Sequence, residues 1–468
     1  MAKRIREQLP LRLQYSANGK AELRDAAAAE NKNLPVHRWV PWIAGFSAQF
    51  VQDAIAAYLP TRNREHHVVL DPFAGVGTTL VEALKAGCHV VGYEINPFAA
   101  LAARAKVNCV DANPRTLRTK VGSFQSDLSR FETRVDRQWI DGGEKSLRSV
   151  IRSLASNQPA AFKSRIPFFS PPIEAKFLYA LDRIASFREP YSGLFRAALG
   201  ATMVSFSNYT YEPSLSSRPG AGKPLIENAS VARAVSQKLE TMLEDTALVV
   251  AQYGGTWKAR RRDVLASSYL SSLLPKQEVS LLITSPPYMN NYHYVRNTRP
   301  QLHWLGLMKP SETLRGYEEE SFGKFWQTVR QGPTVGLDVS LPPLEELIRK
   351  LQGLSLDRGQ YGGPGWANYV ATYFNDCDRF LMQIRRHLRP GARAVIVVGN
   401  SIIQGIEFKV DELLAELAET RGLTVEEVLM VRKKRVGNSI IDSAVRNGHT
   451  TPHKGRTQLY DAAVILRR

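Results

Sequence analysis

The sequence predicts an α/β protein, a doubly wound, mostly parallel sheet of Rossmann-like form carrying a mostly helical insertion. Three observations predict it. "HVVLDPFAGVGTTLVEALKAGCHVVGYEINPFAALAARAKV" alternates strand, turn, helix, strand and helix. Later runs, "VSLLIT" and "AVIVVGNS", are apolar without alternation, the pattern of strands buried on both faces. Between them, residues 112–255 break the alternation with long helical stretches such as "IEAKFLYALDRIASF".

In chain order, residues 1–34 are polar and Ala-rich and read as an arm. Residues 35–111 hold the first part of the α/β domain. Ser47 is placed to cap a helix whose apolar side carries Phe50, Val51, Ile55 and Tyr58, with Pro60 after its end. Val68–Leu70 is a short buried strand, Gly75 and Gly77 mark a turn, and Thr78–Ala86 is helical with Gly87 ending it. Val90–Tyr93 is the second strand, completing a βαβ unit. The insertion at 112–255 includes a loop-like stretch, "EPSLSSRPGAGKP". Residues 256–468 resume the domain with "VSLLIT", a less regular segment at 305–366, a helix from Trp366, the "AVIVVGNS" strand and two strand-like pieces, "EVLMVRKKRV" and "LYDAAVILRR".

Composition bounds the partners. The chain has 468 residues, with 62 Lys plus Arg against 44 Asp plus Glu, a net charge of +18. A polyanion is the first partner such an excess suggests. The three cysteines, Cys88, Cys109 and Cys377, are too scattered for a disulfide framework or a cysteine-built zinc cluster. No stretch approaches the roughly 20 apolar residues of a membrane span, and the start lacks a signal-peptide core. The expectation is a cytoplasmic protein without membrane or metal.

Two motifs carry the chemistry. "DPFAGVGTT" follows the first strand, where ligands of open α/β sheets bind. Glycines there let backbone approach a ligand. No Lys follows, so it is not a phosphate loop. Position 80 is Leu, so it is not the full dinucleotide fingerprint. Glu94 ends the second strand, where a carboxylate is placed to accept ribose hydroxyls. The second motif, "TSPPY", ends the buried strand at 279–284.

Together "DPFAGVGTT", "GYEINP" and "TSPPY" resemble the S-adenosylmethionine-dependent DNA amino-methyltransferases, over roughly residues 35–110 and 260–310. The Ser-Pro-Pro-Tyr version is similar to the N4-cytosine branch; N6-adenine relatives more often carry Asp or Asn in place of Ser285. The resemblance implies S-adenosylmethionine as cofactor. Asp71, Phe73, Gly75 and Gly77 would line its methionine end, with Phe46 and Ser47 packed over it. Glu94 would take the ribose and Asp263, in "RRDVL", the adenine amino group. An acid after three arginines also reads as a surface ion pair. Ser285, Pro286, Pro287 and Tyr288 would form the catalytic clamp, and Asn290, Asn291, Tyr292 and Tyr294 fall beside it.

The implied partner is double-stranded DNA, in a restriction–modification or defence setting with a cognate endonuclease or other component. The insertion, the 305–366 segment or both would recognise the target. Arg134, Arg137, Arg260–Arg262 and Lys433–Arg435 are candidates for phosphate contacts. Rival readings are an N6-adenine enzyme, an RNA base amino-methyltransferase, and a nucleic-acid-binding protein that keeps the fold without turnover.

Overall fold

The computed structural model describes residues 23–42, 45–154, 164–211, 214–289, 294–308, 312–354, 363–434, 440–441 and 459–468. Its centre is a seven-stranded sheet. The strands are β1 (Val68–Asp71), β2 (His89–Tyr93), β3 (Arg262–Leu265), β4 (Val279–Thr284), β5 (Leu388–Gly399), β6 (Thr424–Lys434) and β7 (Leu459–Arg467). Their order is β3-β2-β1-β4-β5-β7-β6. The pairs β3/β2, β2/β1, β1/β4 and β4/β5 are parallel; β7 runs antiparallel to both β5 and β6. The sheet is thus mostly parallel and Rossmann-like. The order reverses between β1 and β4, so the crevice at their carboxyl ends is the topological switch point.

The apolar runs are explained by burial on both faces. Alternate side chains go to opposite sides. Val69, Val90, Leu281, Ile283, Val395 and Val397 enter one core, which also takes in the insertion helices. Val68, Leu70, Val91, Leu282, Ile396 and Val398 enter the other, against the helix Gly363–His387 and the helix Val410–Thr420. Burying each such side chain contributes about 1.5–3 kcal/mol.

The insertion is helical as expected, with helices Pro114–Ser153, Pro171–Ala185, Tyr191–Thr202 and Val231–Lys258. It shares the sheet's core rather than folding around its own. Its two ends are pinned together, since Trp257 Nε1 donates to the Val107 carbonyl (2.8 Å). Part of the loop-like stretch is instead a strand: Leu215–Ser217 pairs antiparallel with Tyr209–Tyr211. The chain before β1 is tied to the insertion by buried Asp245. It accepts from Val36 N (2.8 Å), Trp39 Nε1 (2.9 Å) and the Arg38 guanidinium. Val36 has φ 70°, an uncommon conformation for a β-branched residue that these bonds hold in place.

The three cysteines are free and buried. Among the described residues no helix is long and apolar enough to cross a membrane, and no cluster suits a metal ion.

Candidate active site

One cavity opens at the switch point. The turn after β1 forms its first wall. Asp71 is buried, and its Oδ1 accepts from Thr284 Oγ1 (2.6 Å) and Phe73 N (3.1 Å). The Thr284 bond joins the ends of β1 and β4 directly. Burial pushes the Asp71 carboxyl up from the ordinary 3.8 to about 6, against those hydrogen bonds. Gly75 lines the cavity at φ +51°, and a Cβ there would lie 3.3 Å from Trp42 Nε1. Gly77 stands apart from the cavity wall. It takes φ +86° as the N-cap of the helix Thr78–Lys85, and a Cβ would meet Ala103 at 3.1 Å; it lies outside the lining. Phe73 lines the cavity with its ring against Phe322 (5.1 Å) and Phe380 (5.3 Å).

Glu94, just past β2, holds the glycine turn from the side. One oxygen accepts from Gly75 N (2.8 Å) and the other from Asn96 N (2.7 Å). Burial raises its carboxyl from 4.5 to about 7, outweighing those two donors. Asn96 caps the helix Pro97–Val107 with its oxygen and donates through Nδ2 to Thr298 Oγ1 (2.7 Å). That bond brings the helix Tyr294–Asn297 to the cavity.

The loop after β4 forms the facing wall. Ser285, Pro287 and Tyr288 line the cavity, whereas Pro286 is buried and lies outside the lining. Ser285 Oγ lies 3.2 Å from the Val397 carbonyl and 3.4 Å from Tyr288 Oη. Both are acceptors for the one serine proton; the Val397 carbonyl is the nearer, and with the proton there the oxygen's lone pairs remain as acceptors. The Pro287 carbonyl is held by Tyr373 Oη (3.1 Å). Burial first, then the Asp461 carboxylate, push the Tyr288 phenol well above its ordinary value, so it stays protonated.

Two other predicted residues stand apart. Ser47 spends its hydroxyl on the helix cap, accepting from Phe50 N (3.3 Å); only its neighbour Phe46 lines the cavity. Asp263 is within β3, paired with Arg261, and lies outside the lining; the ion-pair reading describes it. Ser267 and Ser268, past the end of β3, line the cavity instead. The neighbouring arginines are structural ties. Arg260 donates to the Gly87 carbonyl, Arg261 pairs with Glu278, and Arg262 with Asp111. Asn290, Asn291 and Tyr292 lie outside the described residues.

Tyr294, expected beside the clamp, lines the cavity, and residues the motifs did not indicate complete the walls. Trp42 and Tyr294 stack at 6.5 Å, and Phe322, Lys324 and Phe325 come from the irregular 305–366 segment. Trp42 stands just ahead of Phe46 in the sequence. Phe322 and Phe325 carry no local signal.

A parallel sheet with an acid-and-glycine turn at its switch point, facing a rigid Pro-Pro-Tyr loop, defines a ligand-binding α/β enzyme. Residues 29–104 match the family model described as DNA methylase. The chain is 22% identical over 434 residues to the Type II methyltransferase M.AvaI of Nostoc sp. (strain PCC 7120 / SAG 25.82 / UTEX 2576), covering 87% of this chain and 83% of that protein. It is 23% identical over 435 residues to the Type II methyltransferase M.BsoBI of Geobacillus stearothermophilus, covering 87% and 82%. A 66-residue stretch is 30% identical to the Type II methyltransferase M.MjaII of Methanocaldococcus jannaschii, 14% of this chain and 12% of that protein. No solved structure matches the chain significantly. The match and these similarities support an adenine/cytosine amino-methyltransferase of the DNA methylase family, as the two motifs imply.

Proposed function

We propose that this protein transfers a methyl group from S-adenosylmethionine to the exocyclic amino group of a base extruded from double-stranded DNA, cytosine N4 by preference. The observation that carries this is the meeting of both motifs in one cavity, joined by the Thr284–Asp71 bond.

The residues present fit the cofactor. Asp71 and Glu94 are buried carboxyls raised by desolvation, the state a cationic ligand relieves. Asp71, Phe73, Gly75 and Phe46 would hold the methionine end. Glu94 would take the ribose through its remaining lone pairs, and Ser267 and Ser268 would face the adenine. When bound, the cofactor supplies a methyl group activated on sulfur.

The facing loop does the rest. A base amine is a poor nucleophile because its lone pair is delocalised into the ring. An acceptor on its protons favours the pyramidal nitrogen of the transition state, and Ser285 Oγ, its own proton committed to Val397, is that acceptor. The Pro-Pro backbone lacks N–H donors and fixes the loop. Tyr288 gives the base a flat wall, and holding amine and methyl in line lowers the barrier. The amine is unreachable inside a duplex, so the base must leave the stack.

Ser285 in the Ser-Pro-Pro-Tyr version favours cytosine. The similarity to Type II methyltransferases supports a restriction–modification setting in the cytoplasm, with a cognate endonuclease as partner. The test is to express the protein in an unmodified host and sequence the genome with modified-base detection. N4-methylcytosine at one recurring sequence is expected; N6-methyladenine there would overturn the base assignment, and an unmodified genome would overturn the function.

A further inference from the structure

The stacked Trp42 and Tyr294 line the cavity at the switch point. A second cavity shares these two rings and lies between them and the insertion. We propose that it is a nucleobase subsite, which takes a second base of the DNA, unstacked near the one being methylated. This rests on the DNA-methylating function above.

Three features carry it. Trp42, Tyr294, Tyr209 and Tyr211 all line the cavity and offer flat faces. Stacking on such faces suits any base. Gln301, 3% exposed, also lines it. Its Nε2 donates to Tyr211 Oη (3.2 Å) and to the Gly200 carbonyl (3.4 Å). The Gly200 carbonyl only accepts, which fixes the amide's orientation. Gln301 Oε1 is then a buried acceptor without a hydrogen-bond partner among the described residues. A buried acceptor left so is costly and calls for a donor; a base amino or ring N–H is one. At the rim, half-exposed Arg218 is oriented by its Nε bond to the Pro224 carbonyl (2.7 Å), a cation suited to the adjoining phosphate.

The subsite is held rigidly. Tyr211 Oη donates to the Asn297 carbonyl (3.0 Å) and Leu215 N to Asn297 Oδ1 (3.1 Å). These bonds fasten the insertion's hairpin onto the helix Tyr294–Asn297, beside the catalytic loop. The insertion thereby gains a function, reading a position next to the target.

The test uses full-length protein with S-adenosylhomocysteine and duplexes of the modified sequence. 2-Aminopurine replaces each position in turn. Wild-type protein is expected to brighten the probe at the target and at one other position. Ala201→Phe, which fills the cavity from its rim, is expected to lose only the second signal. It should also raise KM for DNA about tenfold, with cofactor Kd unchanged. Tyr211→Ala and Gln301→Leu should raise KM in the same sense, and thermal melting checks that each variant folds. A single brightened position, or unchanged KM in all three folded variants of a protein that methylates DNA, overturns the subsite. Adenosine or deoxycytidine titrated alone separates the sources. Saturable quenching of Trp42 that Ala201→Phe abolishes, with no second unstacked base in DNA, would assign the cavity to free nucleosides and overturn the DNA reading. A wild-type protein that methylates no DNA removes the function above as well.

Discussion

The loops leaving β1 and β4 sit side by side at the same end of the sheet, yet they are built from opposite chemistry. The β1 turn is flexible in sequence and rich in donors: Gly75 takes a positive φ, and Glu94 gathers the N–H groups of Gly75 and Asn96. The β4 loop is stiff and poor in donors: two prolines without N–H groups, a serine whose proton is committed to Val397, and a tyrosine kept protonated. Under the proposed function the difference separates two tasks. Acids and close backbone suit a cationic cofactor that must bind and leave. Fixed acceptors and an aromatic wall suit an amine that must be aimed. The Thr284–Asp71 side-chain bond crosses between them.

This division is open to attack by mutation, the largest effects coming from the β4 loop. Tyr288→Ala and Ser285→Ala should each lower kcat by about 10²–10³-fold while cofactor Kd, read by calorimetry, stays within twofold. The β1 turn should respond in the other sense. Gly75→Val forces a β-branched residue to φ +51° and against Trp42, and strain of about 1–3 kcal/mol should weaken cofactor binding roughly tenfold or more. Equal losses in kcat and Kd from both loops would erase the distinction.

Proton linkage gives a third, smaller effect. Folding raises Asp71 from 3.8 to about 6 and Glu94 from 4.5 to about 7, so the native state holds these protons more tightly than the unfolded chain does. Their ionisation therefore works against the unliganded fold as pH rises from about 4 to 7. A cationic ligand favours the ionised forms, so its binding releases protons and tightens with pH. Cofactor Kd should fall between pH 5.5 and 7.5 and level off above; a Kd that rises over that window would contradict the assignment of these carboxyls. The smallest effect expected is that of Thr284→Val, about 1 kcal/mol of stability by denaturant titration, with weaker cofactor binding and turnover together because it severs the link.

Much of this arrangement was legible in the sequence, and for a physical reason. Strands buried on both faces must be apolar throughout, so β1, β2, β4 and β5 stood out. Turn chemistry then located Gly75 and Ser285 at their carboxyl ends. Legibility failed where one residue type serves two purposes. Ser47 beside Phe46 and Gly77 beside Gly75 share a motif but not a wall, because one helix needed a cap and another needed close packing against Ala103. Asp263 follows three arginines, and the ion pair with Arg261 claimed it. Trp42, Phe322 and Phe325 reach the site through tertiary packing, which no local spacing encodes. The pairing of Tyr209–Tyr211 with Leu215–Ser217 was hidden for the same reason: its second strand runs into a Pro- and Gly-rich stretch and looks like a loop until Asn297 anchors it.

The most direct measurement is methyl transfer itself. Purified protein, S-adenosylmethionine labelled in its methyl group and unmodified duplex DNA are incubated, and the DNA is digested to nucleosides. Label in N4-methylcytosine, absent from a parallel reaction with Ser285→Ala, is the expected result. Label in N6-methyladenine, or none in any base from a folded protein that binds the cofactor, would contradict it.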